Sequence, residues 1–424
     1  MRLSRGERLD VINLLDYTAG VLTTDLIQAA INHAAGMGET LEIPAGSYEV
    51  TSLSLPTGCD LYLEAGAELR AIPREEAWIV CPRMSLLHAE NATNIKIWGK
   101  GTLNGSGWAF VDELGCRKNL PNIPGGVIAF RNVGNLEISG IKITETVGWT
   151  LHLDDCDQVL IDGVIIRNPT YNTRKNSDGI DLNGCREVEI KNCDIETGDD
   201  GICLKNFDPK NPTAPRREMR NIHVHHCRVA STCNATKIGT ETGGDVKNIL
   251  FEDILVDLHP LAKQGPGKPP HDMCSALSAI AAESNDCAHV ENITFRRYRV
   301  VSVESPVFLF LQNRNRYGLE DFRGRLSEIT VEDMMVEKAY RNSMILAQPG
   351  MKITGVTLKN LSVNTLEERY DPDPHLPTGS EYPDCYNFGR HPSHGIYARG
   401  AEITLENCSF RDGAETGRPA LDIQ

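Results

Sequence analysis

The sequence lacks several features that mark common protein classes. Aromatic residues make up only 6% of the 424 residues, and no run of 18 apolar residues is present to span a membrane. The 13 cysteines are odd in number and form no CxxC pair, which argues against a disulfide framework or a zinc site. Because the net charge is -15 at pH 7, we do not expect nucleic acid as a partner.

The N-terminal stretch MRLSRGERLDVINLLDY also lacks the apolar core of a secretory signal. We therefore expect a cytoplasmic protein whose cysteines are reduced. Four of them, Cys156, Cys185, Cys193 and Cys227, lie within short apolar stretches, where free thiols behave as small buried hydrophobes.

A loose repeat of short alternating strands is what the sequence does contain. Ten such strands begin, 23 to 47 residues apart, at Asn94, Asn135, Gln158, Glu187, Asn221, Asn248, Asn292, Glu328, Gly355 and Glu402. Alternation with period two places one face of each strand inward. Neither the blade motif of a propeller nor the hairpin turns of a sandwich are present. The pattern predicts an all-β solenoid, a parallel β-helix of three-strand coils.

The N-terminal region predicts a cap for this solenoid. A helix is expected over about Thr24–Ala35, with Thr24 as its N-cap, followed by a strand from Thr40 and a Pro/Gly turn. We predict one domain over residues 1–424, with the cap at about 20–48 and coils over about 49–424. Insertions at 206–220, 257–275 and 363–393 are candidate binding loops, although each is also compatible with passive surface decoration.

Three aspartates stand out when the coils are aligned. Cys156 and Cys185 occupy equivalent places, which aligns Leu151, Ile180 and Ile202 and suggests Ile238 for a fourth coil. Two residues earlier, the same column then reads Trp149, Asp178, Asp200 and Thr236. Because coils stack about 4.8 Å apart, Asp178 and Asp200 should be neighbours, with Asp199 beside them.

Crowded carboxylates have a chemical use. Like charges at short range raise the pKa of one member, which gives a protonated acid beside an ionised base. That pair is what glycoside hydrolysis needs. A calcium site is an alternative, because hard cations prefer oxygen ligands. The adjoining Gly179 and Gly201 permit a bend that turns the carboxylates out of the core, but they could also mark an ordinary coil corner.

A polar column is expected next to the aspartates. Three residues after the aligned positions the coils hold Asp154, Asn183, Lys205 and Glu241, with Arg131 one coil earlier. Lys205 and Lys237 could bind an anionic sugar or could simply be solvated or paired. Trp149 could be a platform for a sugar ring or a core residue.

The stretch from Asn176 to Asp181, Asn-Ser-Asp-Gly-Ile-Asp, and the Gly-Asp-Asp-Gly at 198–201 resemble motifs of the polygalacturonase family, glycoside hydrolase family 28. The resemblance implies a right-handed β-helix and inverting hydrolysis of pectic polymers, without metal or cofactor. Asp199 would be the general acid, Asp178 and Asp200 would activate water, and Asn176 would contact substrate.

Two departures from the family pattern bear on the substrate. Asn234 stands where the family has a histidine, and the Arg-Ile-Lys motif that holds galacturonate is absent from about Ser275–Ser284. Arg314 and Arg316 are candidates to replace the lost charge. The bond cleaved could therefore be galacturonosyl or rhamnosyl.

The sequence thus predicts an inverting, exo-acting glycosidase on pectic oligosaccharides that needs no membrane partner and could form a homo-oligomer. Two alternatives stay open: a non-catalytic carbohydrate-binding β-helix, and a calcium-dependent pectate lyase.

Overall fold

The computed structural model describes residues 11–78, 85–112, 118, 125–168, 176–208, 211, 216–259, 275–315, 323–366, 382–388 and 392–424. Its strands are parallel, and each pairs with the equivalent strand of the coil before and the coil after it. The chain therefore folds as the predicted right-handed parallel β-helix. That it is one domain over its whole length stays a prediction.

Three parallel sheets make up the wall of the solenoid, and the chain visits them in turn. The first, here called the site sheet, contains Leu53–Ser54, Leu151–Asp154, Ile180–Asn183, Ile202–Asn206, Asn234–Thr242, Ala276–Ser284, Val303–Leu311, Ser343–Ala347, Ile396–Arg399 and Leu421–Ile423. The repeat sheet contains Val11–Asn13, Thr40–Ile43, Asp60–Leu63, Asp157–Asp162, Arg186–Lys191 and Ala401–Glu406. The third sheet contains Gly46–Val50, Ala67–Ala71, Thr102–Asn104, Lys142–Thr144, Ile165–Arg167, Asp194–Thr197 and Ser409–Asp412.

Longer strands bend around a corner and belong to two sheets. Those that join the site and repeat sheets are Ser85–Gly99 and Gly126–Ser139. Those that join the repeat and third sheets are Met219–Ser231, Val246–Val256, His289–Val300, Arg325–Ala339 and Ile353–Thr365.

The predicted N-terminal cap is present. A short helix, Leu14–Thr18, precedes the capping helix Thr24–Met37, whose buried face covers the first coil. Thr23, not Thr24, is the N-cap: its hydroxyl accepts a hydrogen bond from the Leu26 amide at 3.3 Å. Three 3₁₀ turns complete the helical content described: Glu75–Trp78, Gly107–Phe110 and Cys385–Phe388. No helix in these residues is long and apolar enough to cross a membrane.

The repeat is readable in the sequence because most of its starts are corners of the coil. Asn94, Asn135, Asn221, Asn248 and Asn292 all adopt the left-handed conformation, with φ between 53° and 58°. Asparagine tolerates that conformation better than most residues. Their amides also bond along the axis, for example Asn135 to Asn94 at 2.7 Å and Asn292 to Asn248 at 2.7 Å. These residues form what we call the asparagine ladder.

The interior is one apolar cluster that extends from Leu14 near the cap to Ala398 near the last coil. Cys156, Cys185, Cys193 and Cys227 are buried free thiols, as predicted. A second, smaller apolar cluster lies on the outer face of the site sheet. It consists of Leu277, Ala281, Phe308, Phe310, Met344, Leu346, Cys385, Phe388 and Tyr397.

The three predicted insertions are described only in part. In the first, Arg216 and Arg217 fold back to bind Asp155 and Asp157. Residues 260–274 of the second lie outside the described residues. In the third, residues 363–366, 382–388 and 392–393 are described, and the segment 382–388 packs against the site sheet.

Candidate active site

The coil register confirms the alignment of the aspartates. Leu151 pairs with Ile180, and Ile180 pairs with Ile202. Asp178 and Asp200 therefore occupy the same position on neighbouring coils.

The fourth coil was aligned wrongly from the sequence. Ile202 pairs with Thr236, and Leu204 pairs with Ile238, so Asn234 and not Thr236 follows Asp200 in the aspartate column. The register then shifts between Leu204 and Asn206, where three residues, Gly239 to Glu241, stand opposite Lys205 alone. This bulge takes up the two-residue difference, so Glu241 has no one-to-one register partner in the polar column.

Gly179 and Gly201 are required by close approach between coils. A Cβ on Gly179 would lie 2.5 Å from the Gly201 carbonyl oxygen, and one on Gly201 would lie 2.3 Å from Val229 Cγ1 and 2.5 Å from the Ala235 carbonyl oxygen. Any larger residue would push the coils apart at the aspartates, so these glycines set the spacing of the site.

Asp199 and Asp200 are held by different kinds of partner. Asp199 accepts hydrogen bonds from the backbone amides of Asn176, at 2.7 Å, and Asp200, at 2.9 Å. Asp200 accepts from the Asn234 backbone amide at 3.0 Å and from its side chain at 2.8 Å. The Lys237 ammonium lies 3.3 Å from the other Asp200 oxygen. Asn234 thus supports an aspartate at the position where the resembled family has histidine.

These surroundings move the two carboxyl groups in opposite directions. Burial, together with the charge of Asp200, raises the pKa of Asp199, which favours its protonated form. Burial alone would raise the pKa of Asp200 as well, but Lys237, Lys205 and the Asn234 hydrogen bond outweigh it and hold that pKa at about 2. Adjacent carboxyls with separated pKa values can serve as an acid and a base.

Asp178 belongs to a second buried group with Lys205 and Asp181. The Lys205 ammonium lies 2.6 Å from Asp181 Oδ1 and 3.3 Å from Asp178 Oδ2. Burial and the charge of Asp181 raise the pKa of Asp178 well above its usual value, against the effect of Lys205. Burial also raises the pKa of Asp181 to about 6. Asp181 was not predicted, although its place next to Ile180 on an outward-facing position was a signal for it.

Lys237 marks the other side of the site. Its ammonium lies 3.7 Å from Glu283 Oε1 and 5.9 Å from the centroid of the Tyr382 ring. Burial raises the pKa of Glu283 to about 8 and that of Asp384 to about 6, while Lys237 opposes both shifts. Sequence reasoning missed Glu283, Tyr382 and Asp384, because the last two lie about 150 residues beyond the coils they contact.

Trp149 lines a cavity of about 460 Å³, together with His88, Arg131, His152 and Asn176. The Lys205 ammonium is 4.7 Å from the Trp149 ring centroid, and the His152 ring meets it edge-on at 4.7 Å. Burial and Lys205 lower the pKa of His152 to about 4, so the imidazole is neutral at pH 7. A tryptophan ring in a cavity wall favours the interpretation of Trp149 as a platform for a sugar ring over its interpretation as a core residue.

The rest of the polar column is in register. Arg131 pairs with Asp154, Asp154 with Asn183, and Asn183 with Lys205. Arg314 is already paired: it forms an ion pair with Asp286 and donates to the Thr240 carbonyl at 2.9 Å, and its charge lies close enough to Glu283 to lower the pKa of that group. Arg316 lies outside the described residues.

Two clusters of acidic residues and a cysteine in the site have the spacing of possible cation sites. Ligand atoms of Asp178, Asp181 and Cys203 lie within 4.8 Å of one another, as do those of Asp199, Asp200 and Cys233. In each group a lysine ammonium already contacts a carboxylate, and the third member is a thiol, a poor partner for calcium. A calcium ion would have to compete with Lys205 or Lys237.

Comparisons with known proteins agree with this geometry. Residues 35–210, which contain Asp178, Asp199 and Asp200, match the family model of the glycosyl hydrolases family 28. An endo-polygalacturonase of Pectobacterium carotovorum subsp. carotovorum is 27% identical over 259 residues, which is 55% of this chain and 61% of that protein. One of Pectobacterium parmentieri is 26% identical over 55% of this chain and 62% of that protein. The chain thus spans about three fifths of the length of these curated relatives.

Solved structures share the fold. A hyperthermoactive exopolygalacturonase from Thermotoga maritima superposes with a TM-score of 0.70 at 18% identity, over 95% of this chain and 92% of that one. A family 28 exopolygalacturonase of Yersinia enterocolitica gives 0.68 at 18% identity, over 96% and 76%. Over residues 35–210, which include the aspartate coils, the chain is thus similar to glycoside hydrolase family 28, and it shares the fold of these solved structures.

Proposed function

We propose that the protein is an inverting glycoside hydrolase that cleaves a galacturonosyl or rhamnosyl bond in pectin-derived oligosaccharides. The opposite pKa shifts of the adjacent Asp199 and Asp200 carry this proposal. The family match over residues 35–210 and the polygalacturonase names of the relatives support the pectic substrate.

In the proposed reaction, Asp199 is the acid and Asp200 is the base. Asp199, the more exposed of the two, donates its proton to the leaving oxygen as the bond from that oxygen to the anomeric carbon breaks. A water attacks the same carbon from the opposite face, and Asp200 accepts its proton. Asp178, whose pKa is raised, positions the water by hydrogen bonding, and Lys205 fixes the orientation of Asp178.

Charge pairing supports a neutral sugar beside Glu283. Among the described residues around the aspartates, Lys205 is paired with Asp181, Lys237 with Asp200, and Arg314 with Asp286. A uronate on the Glu283 side would have to displace one of these buried ion pairs, which is costly. We therefore favour a neutral sugar, such as rhamnose, at that position.

The segment 382–388 supports exo-action. Beyond Glu283 the outer face of the site sheet carries an apolar cluster, which Cys385 and Phe388 cover, and a buried Glu304–Arg341 ion pair. A sugar chain that lies along the aspartates cannot continue across this covered surface. The curated relatives named above are endo-acting by name, so the products decide the matter.

The test is product analysis with the wild type, Asp199→Asn and the matched variant Asp162→Asn on the outer face of the repeat sheet. Galacturonan, rhamnogalacturonan and branched fragments are supplied, and released sugars are followed by NMR for anomeric configuration. We expect the wild type and Asp162→Asn to release an inverted monosaccharide, and Asp199→Asn to lose about 10²–10⁴-fold in kcat. Retained configuration would overturn the mechanism, longer oligosaccharide products would overturn exo-action, and hydrolysis of none of the substrates would favour a binding module.

A further inference from the structure

A cluster of histidines lies on the outer face of the repeat sheet, away from the aspartates of the site sheet. His223 and His225 alternate along the strand Met219–Ser231, so both side chains point outward. Glu189, on the preceding coil, pairs in register with His223. One ligand atom from each of these three residues lies within 4.8 Å of those of the other two.

The distances inside the cluster are close to those of a metal site. His225 Nε2 and Glu189 Oε1 are 3.1 Å apart. Two ligands of a tetrahedral zinc ion, each bonded at about 2.0–2.1 Å, are separated by about 3.3 Å. The rings of His223 and His225 stack with centroids 4.2 Å apart at 27°, which holds both imidazoles on the same side of Glu189. Little movement is needed for a metal to replace the shared proton.

Partners outside the cluster orient the ligands. His223 Nε2 is 2.7 Å from Glu252 Oε1, and His225 Nδ1 is 2.7 Å from His226 Nδ1. Hydrogen bonds of this kind set the ring orientation of metal-binding histidines and raise their affinity. Lys191 binds the second oxygen of Glu189 at 3.0 Å, so Oε1 is the oxygen that faces the histidines.

We propose that Glu189, His223 and His225 form a site for a divalent transition metal, with Zn²⁺ as the preferred ion. Two imidazoles and one carboxylate are a donor set that zinc accepts, and water completes the tetrahedron. The site links two successive coils of the solenoid. A metal that binds only the folded chain stabilises it, so the site acts as a clip between these coils.

The experiment uses the full chain, which is first stripped of metal with a chelator; the chelator is then removed. Zn²⁺ is titrated by calorimetry, and thermal unfolding is followed with and without Zn²⁺. We expect one site per chain and a higher Tm with Zn²⁺ for the wild type and for the matched variant His289→Ala. In the double variant His223→Ala/His225→Ala the affinity should fall at least about tenfold, and the Tm shift should disappear.

Two results would overturn the proposal. One is a wild type that folds normally but neither binds Zn²⁺ nor gains Tm. The other is undiminished binding by the double variant, which would assign the metal to the carboxylate–cysteine groups of the site sheet. Should the double variant not fold, the surface substitution Glu189→Gln serves instead, and unchanged affinity there would count against the site. With Co²⁺ as probe, the wild type should show the absorption of a tetrahedral site that Glu189→Gln weakens.

Discussion

The outer face of the site sheet has two halves that differ in everything except their backbone. In the first half one outward column reads His152, Asp181, Cys203 and Lys237. The same column continues in the second half as Ala281, Phe308, Met344 and Tyr397. Inward residues are mostly apolar in both halves, with exceptions such as Thr236 and Ser284, so the core does not decide which half becomes a site. The outward residues alone decide it.

Each half excludes water by its own means. In the first half the buried lysines are stable because Lys205 is paired with Asp181 and Lys237 with Asp200, whereas a buried charge without a partner is strongly destabilising. In the second half Phe308 and Phe310 are covered by Phe388, with ring centroids 6.0 and 4.9 Å away, and burial of apolar area stabilises the contact. Glu283 lies at the boundary, with Lys237 on one side and Phe310 as its register partner on the other.

The largest effect is expected from Lys237→Met, which breaks the charged half. Without the ammonium, the pKa of Asp200 should rise from about 2 to at least its ordinary value of 3.8. The ionised fraction of Asp200 at pH 3 then falls at least about sixfold, and kcat/KM with it. The measurement is kcat/KM from pH 2.5 to 7. The control Lys247→Met, on the repeat sheet, should leave the fall of kcat/KM at low pH unchanged. If Lys237→Met also left this fall at the same pH as in the wild type, the role of Lys237 would be contradicted.

Phe388→Ala tests the apolar half. Replacement of a buried phenylalanine by alanine in a well-packed cluster costs about 3–5 kcal/mol of stability. Here this loss weakens the packing of the segment 382–388 against the site sheet. Since that segment carries Tyr382 and Asp384 to Lys237, we expect KM to rise about threefold and proteolysis near the segment to accelerate. Phe410→Ala, the same change near the last coil, should lower Tm without raising KM. Equal KM in both variants would show that the segment does not shape the site.

Glu283→Gln tests the boundary and should have the smallest effect. Burial raises the pKa of Glu283 from 4.5 to about 8, so between these values the folded chain holds a proton that the unfolded chain has lost. Stability must therefore fall as the pH rises through this window. Glutamine has no such proton, so the variant should lose less stability from pH 5 to 8 than the wild type. Urea unfolding at four pH values measures this, and a slope as steep as that of the wild type or of Glu291→Gln would contradict it.

The sequence predicted the parts of the fold that repeat. Alternating strands and the asparagine corners are local features, and they led to the solenoid and to the stacked Asp178 and Asp200. The prediction went wrong at the fourth coil, where a bulge after Ile238 inserts two extra residues that the local sequence pattern does not reveal. Glu283 and Asp384 were missed because their significance depends on contact with Lys237 across distant parts of the chain.

The asparagine ladder has a consequence for how the chain tolerates change. Each left-handed corner fixes the phase of the strand that follows it, and its amide is tied to the corner of the coil before. An insertion or deletion between two corners is therefore confined to the loop in which it occurs, because the next corner restores the phase. Such a scaffold can change its loops, and with them its substrate, while the spacing of its aspartates is preserved.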